Sequence, residues 1–257
     1  MKINMLNSKN NELTFEILDT TPEFVNTIRR TIITKTNTLA IDTIDIHTNS
    51  SALYNEILAH RIGMIPLKFK DALKRTEECT CEGKGCVNCE VKLVLKKSGP
   101  CTVYSKDFKS TDKNVKPTSN NIIIVKLLDG QEVNLEATAK IGTWPEHAKW
   151  QSANIGYRYY PELKANKDCD MCKICAKECP KSIIDTTKNI KLKDNYECDL
   201  CSKCTETCPK KALTLEKDST HIIFNIKSVS GLEPKDIIIS ALNTLKSDLD
   251  EISKKIK

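Results

Sequence analysis

The sequence is poor in aromatic residues and glycine and has no long apolar run. Aromatic residues make up 5% of the 257 residues, and there are eight glycines. No apolar run approaches the roughly 20 residues that a membrane-spanning helix needs. We also find no nucleophile beside a base, no Gly-rich phosphate loop, and no acids spaced to hold two magnesium ions. These absences argue against a membrane protein and against catalytic chemistry on this chain.

The charge pattern and the N-terminus exclude further classes. The net charge is +6, but lysines are scattered and often stand near acids, as at Lys246 and Asp248. This pattern is typical of a solvated surface, so we expect no direct sequence-specific binding of nucleic acid. The N-terminus has no apolar signal core, and thirteen cysteines indicate a reducing, low-oxygen setting. We therefore expect a cytoplasmic protein.

Cysteine is the residue that the chain has in abundance, and eight of the thirteen stand in two similar runs. Each run has the spacing C-x2-C-x2-C-x3-C-P, the ligand pattern of bacterial ferredoxins with two clusters, in which the fourth cysteine binds the other cluster. The first predicted [4Fe-4S] ligand set is Cys169, Cys172, Cys175 and Cys208. The second is Cys198, Cys201, Cys204 and Cys179.

Buried thiols, a disulfide framework and zinc are alternative interpretations of these runs. Disulfides need an oxidising compartment, and zinc sites seldom use a repeated, proline-closed run of four cysteines. The iron-sulfur interpretation is favoured. Whether the clusters carry electrons or act as structural staples stays open.

A second cysteine group lies upstream, at Cys79, Cys81, Cys86 and Cys89. Four sulfurs within a short loop that contains Gly83 and Gly85 suit a tetrahedral, structural zinc site. Four idle loop thiols are the alternative. Cys101 stands alone and is predicted to be a buried core thiol.

The hydrophobic pattern predicts an α+β fold. Alternation predicts strands around Phe15 and Phe224 and a β-rich middle, and Thr21 with Pro22 predicts a helix start. The last segment has the most regular helical pattern, with apolar residues at steps of four and three. This seam consists of Ile238, Leu242, Leu245, Leu249, Ile252 and Ile256. Because the helix is long, we expect the seam to pack against a partner chain.

Three stretches resemble one family. They are the helix that contains Phe24-Val-Asn-Thr-Ile-Arg-Arg30, the string Ala59-His-Arg-Ile-Gly-Met-Ile-Pro-Leu67, and the string Glu146-His-Ala-Lys-Trp150. In this order they resemble the α-like assembly subunits of cellular RNA polymerases, which include the bacterial α subunit, the eukaryotic third-largest subunit and their archaeal counterpart. The chain departs from the family pattern at Gly142-Thr-Trp-Pro145 and at Lys227-Ser228.

The resemblance implies a domain arrangement and a set of partners. A dimerisation domain (1–46 with 216–257) would carry a β-rich insert domain (47–162, with the zinc loop 79–89) and a ferredoxin-like domain (163–215). The dimerisation domain would pair with small subunit L, and the heterodimer would dock other small subunits and the large catalytic subunits. The residues expected in such contacts, besides the seam, are Phe24, Ile28, Arg29, Arg30, His60 and Arg61.

The predicted function is therefore a non-catalytic platform subunit of DNA-dependent RNA polymerase. A ferredoxin-type electron-transfer subunit of an oxidoreductase is the alternative. Its weakness is that the remaining four-fifths of the chain has no flavin, nicotinamide or haem signature.

Overall fold

The computed structural model describes residues 1–69 and 73–256. The helices are α1 (Pro22–Lys35), α2 (Asn55–Gly63), α3 (Ile174–Glu178), α4 (Lys203–Glu206) and α5 (Pro234–Ile256). The strands are β1 (Lys2–Lys9), β2 (Glu12–Leu18), β3 (Thr38–Asn49), β4 (Leu67–Lys68), β5 (Glu90–Ser98), β6 (Cys101–Tyr104), β7 (Lys109–Ser110), β8 (Lys116–Pro117), β9 (Ile123–Leu127), β10 (Glu132–Gly142), β11 (Ala153–Ala165), β12 (Ile184–Asp185), β13 (Lys191–Leu192) and β14 (Leu213–Ser228). The predicted mixture of helices and sheets is confirmed.

The chain divides into two compact units, each built from two separate stretches. Unit 1 contains Met1–Arg29 and Ile155–Ile226, and unit 2 contains Arg30–Asn154 and Lys227–Lys257. These two units are defined only by their compactness. The three domains predicted from the sequence have different bounds, and that division stays a prediction.

Unit 1 is built on a four-stranded sheet in the order β1-β2-β14-β11. β1 and β2 form an antiparallel hairpin, in which Ile3 pairs with Ile17. The predicted alternation is present, since Phe15 and Phe224 are buried and their ring centroids lie 5.1 Å apart. A second apolar cluster in this unit joins Ile184 of β12 and Leu213 of β14 to cysteines of both runs.

Unit 2 contains a sheet in the order β3-β10-β5-β7 and two short two-stranded sheets, β4-β8 and β6-β9. Leu135 of β10 lies between Ile46 of β3 and Leu95 of β5 in the register. Alternate residues of β5 and β10 are fully buried, and α2 covers the same core through Leu58 and Ile62. The β-rich middle predicted from the sequence is confirmed.

The terminal helices begin where the sequence predicts. In α1, the Thr21 hydroxyl accepts a hydrogen bond from the Phe24 amide at 3.4 Å, so Thr21 caps the helix. In α5, Pro234, Ile237 and Ala241 are buried.

No helix in residues 1–69 and 73–256 is both long and apolar enough to cross a membrane.

Candidate metal centres and partner surface

The loop between Cys79 and Cys89 brings four sulfur atoms together. All four Sγ atoms lie within 4.8 Å of one another, and the Cys79–Cys86, Cys81–Cys89 and Cys86–Cys89 pairs are separated by 3.5, 3.6 and 3.8 Å. The backbone folds back because Glu82, Gly83 and Gly85 adopt positive φ angles. The structure therefore brings all four predicted zinc ligands together.

The sulfur spacing fits a single tetrahedral ion. A Zn–S bond of about 2.3 Å places tetrahedral sulfur ligands about 3.8 Å apart, close to the spacing seen here. Within the described part of the chain, no other group of three or more metal-ligating side chains is as tightly spaced. All four positions would be filled by protein, which is the arrangement of a structural zinc site.

The protonation of these thiols reflects their crowding. Burial is the largest cause that raises the pKa of Cys89, to about 12. Burial also acts to raise the pKa of Cys81, but hydrogen bonds with Cys79 and Cys89 outweigh it and lower that pKa to about 7. A bound cation would favour the thiolate form of all four cysteines.

An ionic contact ties the start of this loop to the Glu146–Trp150 string. The Arg75 guanidinium lies 2.6 Å from the Glu146 carboxylate, which also accepts hydrogen bonds from the Thr143 hydroxyl at 2.7 Å and the Thr143 amide at 3.2 Å. Burial acts to raise the pKa of Glu146, but these partners outweigh it and hold the pKa below its ordinary value. Nothing local in the sequence indicates that Arg75 has this role.

The first predicted iron-sulfur ligand set lines one pocket. Cys169, Cys172 and Cys175 of the first run face it together with Cys208 of the second run. Burial is the largest cause that raises the pKa of the Cys175 thiol, and the charges of Cys172 and Cys169 add to it.

The second predicted set also crosses between the runs. Burial first, and then the charges of Cys198, Cys201 and Cys179, raise the pKa of the Cys204 thiol to about 11. Cys179 of the first run is therefore an electrostatic neighbour of the second run. In the residues that the structure describes, neither set has all its sulfurs within the 4.8 Å seen at the Cys79 group.

The two runs share an unusual backbone. Met171 and Lys173 have positive φ angles in the first run, and Leu200 and Ser202, at the equivalent positions, have them in the second. Each pair precedes a one-turn helix, α3 or α4, that carries the third cysteine of its run. The two runs thus share this backbone conformation as well as their cysteine spacing, although non-glycine residues seldom adopt positive φ angles.

The predicted seam of α5 is largely exposed. Leu249 and Ile252 are 59% and 53% exposed, and Leu242 and Ile256 are also exposed. Ile238 and Leu245 are partly buried. The helix buries Ile237 and Ala241 instead, which lie on a different face from the seam.

The other predicted partner residues differ in accessibility. Phe24 is 41% exposed, whereas Ile28 is buried. Arg30 is exposed, and Arg29 donates to the Asn26 side chain at 3.0 Å.

In α2, His60 is exposed and Arg61 donates to the Ile123 carbonyl oxygen at 2.9 Å. Arg61 therefore has a packing role within the chain.

Two of the family-like strings meet at one concave patch of unit 2. His60 and Met64 of the Ala59–Leu67 region line it with His147 and Lys149 of the Glu146–Trp150 string. The Lys149 ammonium is fixed by Asp42 at 2.7 Å. No local pattern in the sequence singles out Asp42 for this contact.

Gly142 makes close packing of the same string possible. A Cβ atom at Gly142 would lie 2.5 Å from the Trp150 ring, so the indole rests directly on the glycine backbone. The indole also donates to the Lys140 carbonyl oxygen at 3.1 Å. The segment Gly142–Pro145 departs from the family pattern, but it keeps a glycine at position 142, which the packing of Trp150 requires.

Comparison with known proteins matches both a domain and the whole chain. The RNA polymerase Rpb3/RpoA insert domain matches residues 39–157, which overlap the predicted insert domain. DNA-directed RNA polymerase subunit Rpo3 of Methanothermobacter thermautotrophicus is 36% identical over 258 residues, or 98% of this chain and 97% of that protein. Subunit Rpo3 of Archaeoglobus fulgidus is 35% identical over 259 residues, or 100% of this chain and 98% of that protein. Subunit Rpo3 of Methanosarcina acetivorans is 34% identical and covers 98% of this chain and 97% of its own length. The chain therefore belongs to the family of DNA-directed RNA polymerase subunit Rpo3.

Proposed function

We propose that this chain is a non-catalytic assembly platform of DNA-dependent RNA polymerase. The observation that carries the proposal is the match to Rpo3 subunits along nearly the whole chain. In this role the chain pairs with a small subunit, L, and the heterodimer docks other small subunits and the large catalytic subunits, which perform the chemistry. The electron-transfer alternative is not favoured, because a ferredoxin-type carrier would need only the cysteine runs.

The exposed seam of α5 is the proposed contact with subunit L. Leu249 and Ile252 each leave more than half of their surface open to water, so covering them is favourable by about 25 cal/mol for each Å² buried. Lys35 of α1 holds the same helix through an ion pair with Asp248 at 2.5 Å. The helix is thus anchored in unit 2 while its seam stays available to a partner.

The concave patch around His60 and His147 is the proposed docking surface for a large subunit. It combines an exposed apolar side chain, Met64, with two imidazoles. Its shape is set by the Asp42–Lys149 ion pair and by the packing of Trp150 on Gly142. Because these two contacts fix the surface, its conformation changes little on binding, which favours assembly.

The metal sites have a structural role in this proposal. Cys79, Cys81, Cys86 and Cys89 hold zinc, and the two crossed cysteine sets hold two [4Fe-4S] clusters. Each ion or cluster joins separate loop segments, so binding energy adds to folding energy. Because exposed clusters are oxidised readily, the iron-sulfur part also makes assembly sensitive to redox conditions.

The test is a double substitution, Leu249→Glu with Ile252→Glu, in a chain produced anaerobically together with subunit L. The substitutions place charges in the proposed interface, so we expect the heterodimer to be lost in analytical ultracentrifugation. The visible absorbance of the clusters should not change, and neither should the melting temperature of the chain measured without subunit L, because both side chains are exposed.

A matched control is Asn243→Glu with Ser247→Glu, two exposed residues on the opposite face of α5, which gives the same change in charge. The control should keep the heterodimer. Binding of subunit L by the Leu249→Glu and Ile252→Glu chain would exclude the seam as the interface. Failure of the unmodified chain to bind any polymerase subunit would overturn the platform function.

A further inference from the structure

An unassigned cleft of about 530 Å³ lies in unit 2, beside the short edge strand β7. Its size is within the range of ligand-binding pockets in proteins, roughly 300 to 1,000 Å³. It is separate from the cysteine loop, from the patch around His60 and from the seam of α5.

The floor of the cleft is apolar. Leu93 of β5 and Val115 are almost fully buried beneath it, at 0% and 1% exposure, and Phe108 and Pro117 form part of its wall. Leu93 and Val115 belong to the core of the unit and Phe108 packs against it, so the floor is held in place. An apolar side chain placed on it would lose its contact with water.

Lysines surround this floor. Lys106, Lys113 and Lys116 line the cleft, and Asp112 is the acidic residue among the lining side chains. The Asp112 carboxylate accepts a hydrogen bond from the Asn114 amide at 2.8 Å and so stabilises its own turn. Lys113 and Lys116 form no ion pair with any carboxylate of residues 1–69 and 73–256. The cleft therefore presents an excess of positive charge around an apolar floor.

We propose that this cleft binds an extended, acidic segment of another polymerase subunit, with an apolar side chain of that segment on the Leu93–Val115 floor. The inference rests on the platform function, which requires further chains to dock on this one. Acidic side chains complement the lysines, and the aliphatic floor complements the apolar anchor. A nucleic-acid strand is less well matched, because it needs successive aromatic platforms, and Phe108 is the aromatic residue that lines the cleft.

The experiment uses polymerase reconstituted from purified subunits, with the photo-crosslinking residue p-benzoyl-L-phenylalanine in place of Asn120. Asn120 lines the cleft and is exposed. After irradiation, mass spectrometry identifies the attached peptide. We expect an Asp- and Glu-rich segment of another subunit.

Charge reversal then tests the lysines. Lys113→Glu with Lys116→Glu should reduce the crosslink yield about tenfold, since two exposed ion pairs of up to about 1 kcal/mol each would become repulsive. Lys113→Arg with Lys116→Arg should retain it. Lys96→Glu with Lys126→Glu, an equal charge change on exposed strand residues outside the cleft, should also retain it.

The outcomes separate the two levels of the proposal. A reconstituted polymerase that contains this chain but gives no crosslink, a crosslink to nucleic acid, or an unchanged yield after charge reversal would overturn the cleft proposal alone. A chain that enters no polymerase complex would overturn the platform function first.

Discussion

The Nε2 atom of His221 lies 2.6 Å from the Oε2 atom of Glu16, at the centre of a buried polar cluster in unit 1. The Tyr196 hydroxyl donates to the same oxygen at 2.9 Å, and the Asn4 amide donates to Oε1 at 2.8 Å. The Tyr160 ring stacks on the imidazole with a centroid distance of 4.0 Å. The cluster satisfies a carboxylate that is only 6% exposed and links four strands to the segment just before Cys198.

This cluster predicts a loss of stability in acid. Burial acts to raise the pKa of Glu16, but hydrogen bonds from Asn4, His221 and Tyr196 outweigh it and lower the pKa below its ordinary value of 4.5. A carboxyl group with a lowered folded-state pKa stabilises the fold above its unfolded-state pKa, and this contribution is lost as the pH falls through the folded value. We expect the free energy of unfolding, measured with urea, to decrease below about pH 4.5.

Glu16→Gln should remove that pH dependence and cost about 1.5 to 3 kcal/mol at pH 7, because it replaces a charged acceptor inside a buried network. The control is Glu216→Gln, which removes an exposed ion pair with Lys164 and should cost less than about 1 kcal/mol. Equal effects of the two substitutions at pH 7 would contradict the role assigned to the cluster.

The strands of this cluster could be predicted from the sequence, but their contact could not. Alternation around Phe15 and Phe224 fixes which side chains face the core, since the period of two is local. Glu16 and His221 are 205 residues apart, and each stands on a polar position of its strand. A periodic pattern contains no information about which polar residues of distant strands become neighbours.

The last helix illustrates a different limit. Its heptad pattern predicts the seam. More than half of the surface of Leu249 and of Ile252 is exposed to solvent. The same pattern gives no weight to Ile237 and Ala241, which are the residues that anchor the helix. The loop from Cys79 to Cys89 is the opposite case, because its four cysteines are close together in the sequence and the structure brings their sulfur atoms together.

Gly142→Ala should destabilise unit 2 by about 1 to 3 kcal/mol. The new methyl group would lie 2.5 Å from the Trp150 ring and would push the indole off the strand. Trp150 fluorescence and the melting temperature would report the change. The control is Gly156→Ala in β11, where a Cβ atom meets nothing within 4 Å, and an equal loss there would exclude the packing explanation.

The zinc site that we propose predicts a stoichiometric metal dependence. Cys86→Ser removes a ligand from the tetrahedral set, so we expect the zinc content of the purified chain to fall from about one to near zero per molecule. Limited proteolysis should then cut between residues 75 and 90. Cys101→Ser is the matched control, since Cys101 lies outside the Cys79–Cys89 loop and outside both cysteine runs. Cys101 is only partly buried, not the buried core thiol predicted from the sequence, and its thiol contacts the Ser98 carbonyl oxygen at 3.4 Å. Unchanged zinc in the Cys86→Ser chain would contradict the assignment.

The crossed arrangement that we propose for the iron-sulfur ligands predicts different losses for two double substitutions. Cys169→Ser with Cys208→Ser removes two ligands of one cluster if the sets cross, so about four of about eight iron atoms should remain. Cys169→Ser with Cys179→Ser removes one ligand from each cluster, so iron binding should fall much further. If each run instead held its own cluster, the two results would be exchanged. Iron and sulfide analysis of anaerobically purified protein distinguishes these arrangements, and the shared pocket of Cys208 with the first run favours the crossed one.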